Sequence, residues 1–412
     1  MIKFVLKSCF LITLFFKPLN SLGMGLLTSY FDEVVCLLAI LYFLYKRSIS
    51  SGYFGLVLVF VGLNGVNSAL SELQFDIVRF TLDCFLFLKP ILFVMFLTSI
   101  GSRLFAGSSS FFTIVSRMYL VLAFLFLPFH YVFPPIDYND ARFGINAYHF
   151  IASNAGDFTN MLLITTLIAS TKMSKRSTSI YSIIGIVLML STLRFKAFVL
   201  VAAYMIFLNN NITAIFFDYF KRKYEEKKLF AFKNIFFLAP FGIVILAPGY
   251  SQFVAYFLSG DTTPRLLLTL EGVNIFLENF PFGIGPGFYG SAASSMFYSP
   301  VYVDLGWSNH WGLGKSPETN FLNDSFWPMV IAQYGFLGLM TTLAMYRKFI
   351  YSYLSFNTVH SFRYSVITVI SLFLSTLGSS IFIGHIGLFY ILGRFVLDNV
   401  PVRSEPFLDT NI

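Results

Sequence analysis

The chain is short of charge. Of its 412 residues only 12% are Asp, Glu, Lys or Arg, against 57% apolar, too few ionisable groups to cover a water-soluble globule of 46.8 kDa. The 28 Lys and Arg and 20 Asp and Glu cluster between apolar stretches instead of alternating with them, which excludes a soluble enzyme on one apolar anchor. Cysteine is also scarce. Cys9, Cys36 and Cys84 lie inside apolar stretches with no close pair and no Cys/His spacing, so they read as packing residues and exclude a disulfide framework or a zinc site. No P-loop, HExxH, CxxC or GxSxG segment occurs, so the soluble phosphate-cradle, zinc-hydrolase, dithiol and serine-hydrolase signatures are missing. The run Gly283-Ile284-Gly285-Pro286-Gly287 follows a helical segment and contains a proline. It reads as a tight turn that lets backbone approach closely, not as a nucleotide loop.

What the chain has is apolar length. Its mean hydropathy is +0.74, and a span needs about 20 apolar residues. The sequence therefore predicts an all-α, polytopic integral membrane protein of about 12 spans. The runs are Phe4 to Leu22, Leu26 to Tyr45, Gly52 to Leu70, Ile77 to Thr98, Phe111 to Phe133, Phe150 to Ser170, Ser179 to Leu193, Phe195 to Asn209, Phe230 to Ala247, Phe326 to Tyr346, Phe362 to Ser380 and Phe382 to Leu397. Lys7 and Lys17 interrupt the first, which reads as a retained span because no small-residue cleavage site follows it.

The net charge of +8 follows the membrane and not a nucleic-acid face. Most Lys and Arg fall on one side, which the positive-inside rule makes cytoplasmic together with both termini; the run Lys221 to Lys228 reads as a positive-inside anchor on that side, with a regulatory lipid-binding patch as the other reading. The exceptions are Lys17, Arg79, Lys89, Arg142, Arg194, Lys196, Arg265 and Lys315. The organisation expected is spans one to nine in 1–247, a large structured external loop in 248–325 and spans ten to twelve plus a short cytoplasmic tail in 326–412. That loop carries an apolar helix from Arg265 to Asn279, then the Gly283, Gly285, Gly287 turn, then a Trp/Tyr/Gly segment.

Cations set against the topogenic bias at a membrane edge call for a partner. Arg142 in the first external loop, Arg194 and Lys196 in the link between two spans, and Arg265 at the start of the external helix would suit a lipid diphosphate. Snorkelling, or pairing with Asp140, Asp261 or Glu271, accounts for any one of them equally well. Acids and bases on the same side are Asp137, Asp140, His149, Asp157, His310, Glu318 and Asp324. Asp324, at the mouth of the tenth span, reads either as a half-buried base or, with Ser325, as a helix cap. His310, between Trp307 and Trp311, reads as an aromatic-belt residue.

These segments, in this order, resemble the O-antigen polymerase and O-antigen ligase superfamily. They are Arg142-Phe143-Gly144 with Asn154 following, Ser191 to Arg194, an Arg-led helix ending in Asn279-Phe280-Pro281-Phe282-Gly283-Ile284-Gly285-Pro286-Gly287, and Gln333-Tyr334-Gly335-Phe336-Leu337-Gly338. The resemblance covers about Asp140 to Leu339. Where ligases carry a His-Asn pair, this chain has Asp324 and Ser325, which favours a repeat-unit polymerase.

The resemblance implies a metal-independent, inverting, C-type glycosyltransferase of a bacterial inner membrane. It would pass a growing glycan from undecaprenyl diphosphate to the next lipid-linked repeat unit at the periplasmic face, building O-antigen or capsular polysaccharide. It implies no cofactor, and partners in a chain-length regulator and a flippase of the same pathway. Arg142, Arg194 and Arg265, with Lys196 added by proximity, would hold the diphosphate; Asp324, then Glu318, would serve as base; Tyr289, Tyr298, Trp307 and Trp311 would stack on sugars. The other readings are a ligase that caps lipid A-core and a lipid-linked oligosaccharide flippase, although a transporter is expected to show related halves.

Overall fold

A computed structural model describes residues 2–46, 51–71, 73, 75–100, 109–133, 141–142, 144–171, 175–208, 210–226, 263–316, 320–354, 359–376 and 383–398. In chain order the helices are α1 (Ile2–Leu14), α2 (Phe16–Ser21), α3 (Gly25–Lys46), α4 (Ser51–Leu70), α5 (Ile77–Ile100), α6 (Ser109–Val132), α7 (Ala155–Ala169), α8 (Lys175–Ser191), α9 (Phe195–Leu208) and α10 (Asn210–Glu225). They continue with α11 (Pro264–Glu278), α12 (Ala292–Met296), α13 (Pro300–Asp304), α14 (Phe326–Tyr353), α15 (Val359–Thr376) and α16 (His385–Asp398). One hairpin, β1 (Ala141–Arg142) with β2 (Ile145–Asn146), stands between α6 and α7.

Among the described residues five helices, α3, α4, α5, α6 and α14, are long and apolar enough to cross a membrane, and α7, α8, α9, α15 and α16 hold shorter apolar helices. The chain is a helical membrane protein. Apolar side chains all round a helix suit a medium without water, where the backbone must satisfy its own hydrogen bonds. The first expected run is two helices that part at Phe15, and Pro18 stands in the first turn of the second, where a missing N–H costs nothing. The run Phe230 to Ala247 lies outside the described residues. The sequence reading had no place for α10, whose Phe217 and Phe220 rings lie on Phe362 of α15, while Asp218, Lys221 and Arg222 stay exposed.

The core centres on α7, which is buried from Phe158 to Ala169 and packed by α6, α8 and α16. A second, separate core forms between α11 and α14 from Leu268, Ile275, Ile284, Phe288, Tyr289, Tyr302, Trp307, Leu313, Leu322 and Ala332. Residues 263–316 and 320–325 fold around it as a lid over one end of the bundle.

Candidate functional site

α14 is where the lid and the bundle interlock. Its ladder breaks at Gly335, which adopts φ 63° and ψ −161°, and the freed carbonyls are taken up by the glycine-rich turn. Ile284 N–H donates to Ala332 O at 2.9 Å, Gly285 N–H to Gln333 O at 2.9 Å, and Phe336 N–H to Pro281 O at 2.8 Å. The turn adopts φ of 79°, 96° and 82° at Gly283, Gly285 and Gly287. A Cβ on Gly335 would lie 2.2 Å from the Phe282 carbonyl carbon, and one on Gly283 would lie 2.6 Å from Ala332 O. The two stretches that carry the family resemblance are thus each other's partners, and glycine occupies both because backbone meets backbone.

Beneath the turn, Asp83 of α5 is 2% exposed and accepts from Tyr334 OH at 2.8 Å; Ser291 and the Gly287 N–H also face it. Arg79 covers the Phe288 and Phe297 rings at 5.6 and 5.3 Å. Asn67 of α4 donates to Gln333 O at 2.9 Å.

At the mouth of α14 stands an ion pair. Arg265, in the first turn of α11, donates through Nη2 to Asp324 Oδ2 at 2.9 Å, and the side chains are 27% and 31% exposed. Of the carboxylates expected from sequence, Asp140 and Asp261 lie outside the described residues, and Glu271 accepts from Asn274 Nδ2 at 3.3 Å. Ser325 is the N-cap of α14 but makes no side-chain cap bond, so the capping reading of Asp324 and Ser325 gives way to the ion pair.

The second cationic group lies where α8 turns into α9. Leu193 takes a positive φ of 51°, and Arg194 supplies the carbonyl that accepts the Ala197 N–H at 2.8 Å. Lys196 points into the bundle: Nζ is 3.3 Å from Ser375 Oγ of α15 and 3.5 Å from Gly156 O of α7. Asn160 extends that polar core, accepting from Tyr390 OH at 2.9 Å. Asp157, within electrostatic reach of Lys196, is held by Asn154, which caps α7 through Asp157 N–H at 2.8 Å. The Arg142 hairpin joins this group through the segment that follows β2, since Tyr148 N–H donates to Ser191 O at 2.9 Å. Arg142 pairs with Ile145 in the hairpin, and its side chain lies outside the described residues, as do Asp137, Asp140 and Glu318. His149 Nδ1 is 3.0 Å from Ala152 O and His310 Nδ1 is 2.8 Å from Trp311 O.

The aromatic residues of the lid divide. Tyr289 is fully buried and Trp307 is 6% exposed. Tyr289 OH donates to Leu268 O at 2.7 Å, and Trp307 stacks on Tyr302 at 5.7 Å. Both are core residues and do not face a sugar, which corrects the reading from sequence. Burial also pushes the Tyr289 and Tyr302 phenols up. Tyr298 is half-buried with Lys315 over its ring at 5.3 Å, whereas Trp311 is 68% exposed.

Sequence reasoning missed the acids inside the helices. Besides Asp83, Asp32 and Glu33 of α3 both accept from Lys89 of α5 at 2.7 Å, with His385 of α16 within electrostatic reach. The signal was present: an ionisable residue inside an apolar run needs a partner. Among the described residues no three His, Cys, Asp or Glu side chains form a metal-ligand set. No protein-family model and no curated protein matches the chain.

Proposed function

We propose that the chain is a metal-independent, inverting glycosyltransferase. It polymerises undecaprenyl-diphosphate-linked repeat units into O-antigen or capsular polysaccharide at the periplasmic face of a bacterial inner membrane, with both termini cytoplasmic and the lid as the periplasmic loop. The observation that carries this reading is the Arg265–Asp324 pair. The cation suited to a diphosphate and the carboxylate suited to a hydroxyl stand 2.9 Å apart, part-exposed, above the break in α14.

The chemistry follows from the guanidinium having five donors. When a diphosphate arrives, Arg265 turns donors from Asp324 to phosphate oxygens and frees the carboxylate as a base. The acceptor hydroxyl oxygen attacks the anomeric carbon opposite the diphosphate, and the bond from that carbon to the diphosphate oxygen breaks. The bonding electrons leave on the diphosphate, and the hydroxyl proton passes to Asp324. Positive charge from Arg265, Arg194 and Arg142 stabilises the leaving group without a divalent ion.

The test is complementation of a deletion strain with wild type, Arg265→Ala and Asp324→Asn, followed by gel analysis of surface polysaccharide. Loss of the ladder with single capped repeats retained supports the polymerase. Loss of all capping points to a ligase, and inward accumulation of lipid-linked units points to a flippase. Full ladders from both variants overturn the reading.

A further inference from the structure

At the end of the bundle opposite the lid, a cavity of about 840 Å³ opens between α4, α10 and α14, within the roughly 300–1,000 Å³ usual for ligand sites. Its apolar wall is Leu56, Leu343 and Ala344, and its polar rim is Arg347, Lys348 and Glu225. The cations are not spent on carboxylates. Lys348 Nζ lies over the Tyr53 ring at 4.5 Å, Arg347 lies over the Tyr351 ring at 5.9 Å, and among the described residues neither forms an ion pair. Tyr53 is itself pinned, with OH 2.6 Å from Ser352 Oγ, so its face is a fixed platform.

The helix that closes the rim is amphipathic. α10 lays Phe216 and Phe217 against α9 and α15 and ends with Arg222 and Lys223 in its last turn. Held on the bundle by its apolar face and exposed along Asp218, Lys221 and Arg222, it marks the end of the bundle where apolar helix gives way to charge, as at a membrane–water boundary. An apolar wall below cations at that boundary matches a molecule with acyl chains below an anionic phosphate. Among the described residues Glu225 is the one carboxylate on the rim and is outnumbered by Arg347 and Lys348.

We propose that this cavity binds one anionic phospholipid, with its phosphate between Arg347 and Lys348 and an acyl chain along Leu56 and Leu343. The site is independent of the lid and of the chemistry assigned to it. Anionic headgroups attract basic groups near a membrane surface, but a surface patch alone does not need the apolar wall.

The purified full-length protein, delipidated in detergent, is titrated with dioleoyl phosphatidylglycerol or dioleoyl phosphatidylcholine and read by native mass spectrometry and by the shift in thermal midpoint. The wild type is expected to hold one phosphatidylglycerol and to discriminate against phosphatidylcholine. Arg347→Gln/Lys348→Gln weakens phosphatidylglycerol about tenfold or more. Leu343→Trp sets an indole across the wall where the acyl chain would lie, keeps both cations and also weakens the lipid; because Leu343 is 43% exposed, this change leaves the core untouched. Equal binding of the two lipids by the wild type, or wild-type binding by either variant, overturns the proposal. So does disulfide trapping of a cysteine at Leu343 by a cysteine placed in residues 227–262, which would show the chain itself filling the space.

Discussion

Arg265 Nη2 donates to Asp324 Oδ2 across 2.9 Å, closing the mouth of α14 with one charge from each side of the lid. The pair is part-exposed, so its contribution to stability is small, under about 1 kcal/mol. Arg265→Ala and Asp324→Asn are therefore expected to leave the thermal midpoint in detergent nearly unchanged while removing the glycan ladder. A midpoint that drops with the ladder would make the pair structural.

The break in α14 makes a sharper demand on stability. Gly335 combines a positive φ with a carbonyl of Phe282 where a Cβ would go, so Gly335→Ala is expected to cost several times the roughly 1–3 kcal/mol of backbone strain alone. Gly306 also has a positive φ but nothing within 4 Å, and Gly306→Ala is expected to cost only about 1 kcal/mol. Fluorescence-detected size exclusion after heating compares the two, and equal losses would sink the interlock.

Tyr334 and Asp83 tie the break to α5. Tyr334→Phe leaves a buried carboxylate one donor short and is expected to cost about 1–3 kcal/mol. A double-mutant cycle with Asp83→Asn measures the coupling, which should exceed about 0.5 kcal/mol; additive effects would mean that the 2.8 Å contact carries no energy.

Lys89 is held by Asp32 and Glu33 inside the bundle. Lys89→Met strands two carboxylates and is expected to destabilise by about 3–5 kcal/mol. Adding Asp32→Asn and Glu33→Gln to that variant should recover most of the loss. A triple variant as unstable as the single one would show that packing, not charge, is at stake.

Trp307 and Trp311 stand four residues apart with opposite fates. Trp307→Ala opens a hole in the lid core and should lower the thermal midpoint, since large-to-small core changes of this kind cost about 3–5 kcal/mol. Trp311→Ala removes an exposed ring and should spare the midpoint while reducing polymer length, if that ring meets sugar. Cysteine labelling at Trp311 by an impermeant reagent in intact cells checks that the lid faces outward; labelling only after lysis would invert the proposed topology.

The membrane class and the long helices could be read from the sequence because they depend on local composition. An apolar run in lipid has to close its hydrogen bonds within itself, so Ile77 to Thr98 reads as a helix and is one, extended to Ile100. The apolar residues after Arg265 also announced α11, which starts one residue earlier at Pro264. The parting at Phe15, the β1–β2 hairpin and α10 were not legible, because each depends on what packs beside it.

Sequence by itself determined that this is an apolar, helical chain whose charges cluster between apolar runs, with a glycine-rich turn at Gly283, Gly285 and Gly287. Only the tertiary structure decided that Arg265 takes Asp324, that Lys196 turns to Ser375, that Asp83 sits beneath the turn and that the two glycine stretches close on each other at Gly335. The reason is that helix formation is settled by neighbours in the chain, whereas the partner of a buried charge or a freed carbonyl is whatever the fold brings within about 3 Å.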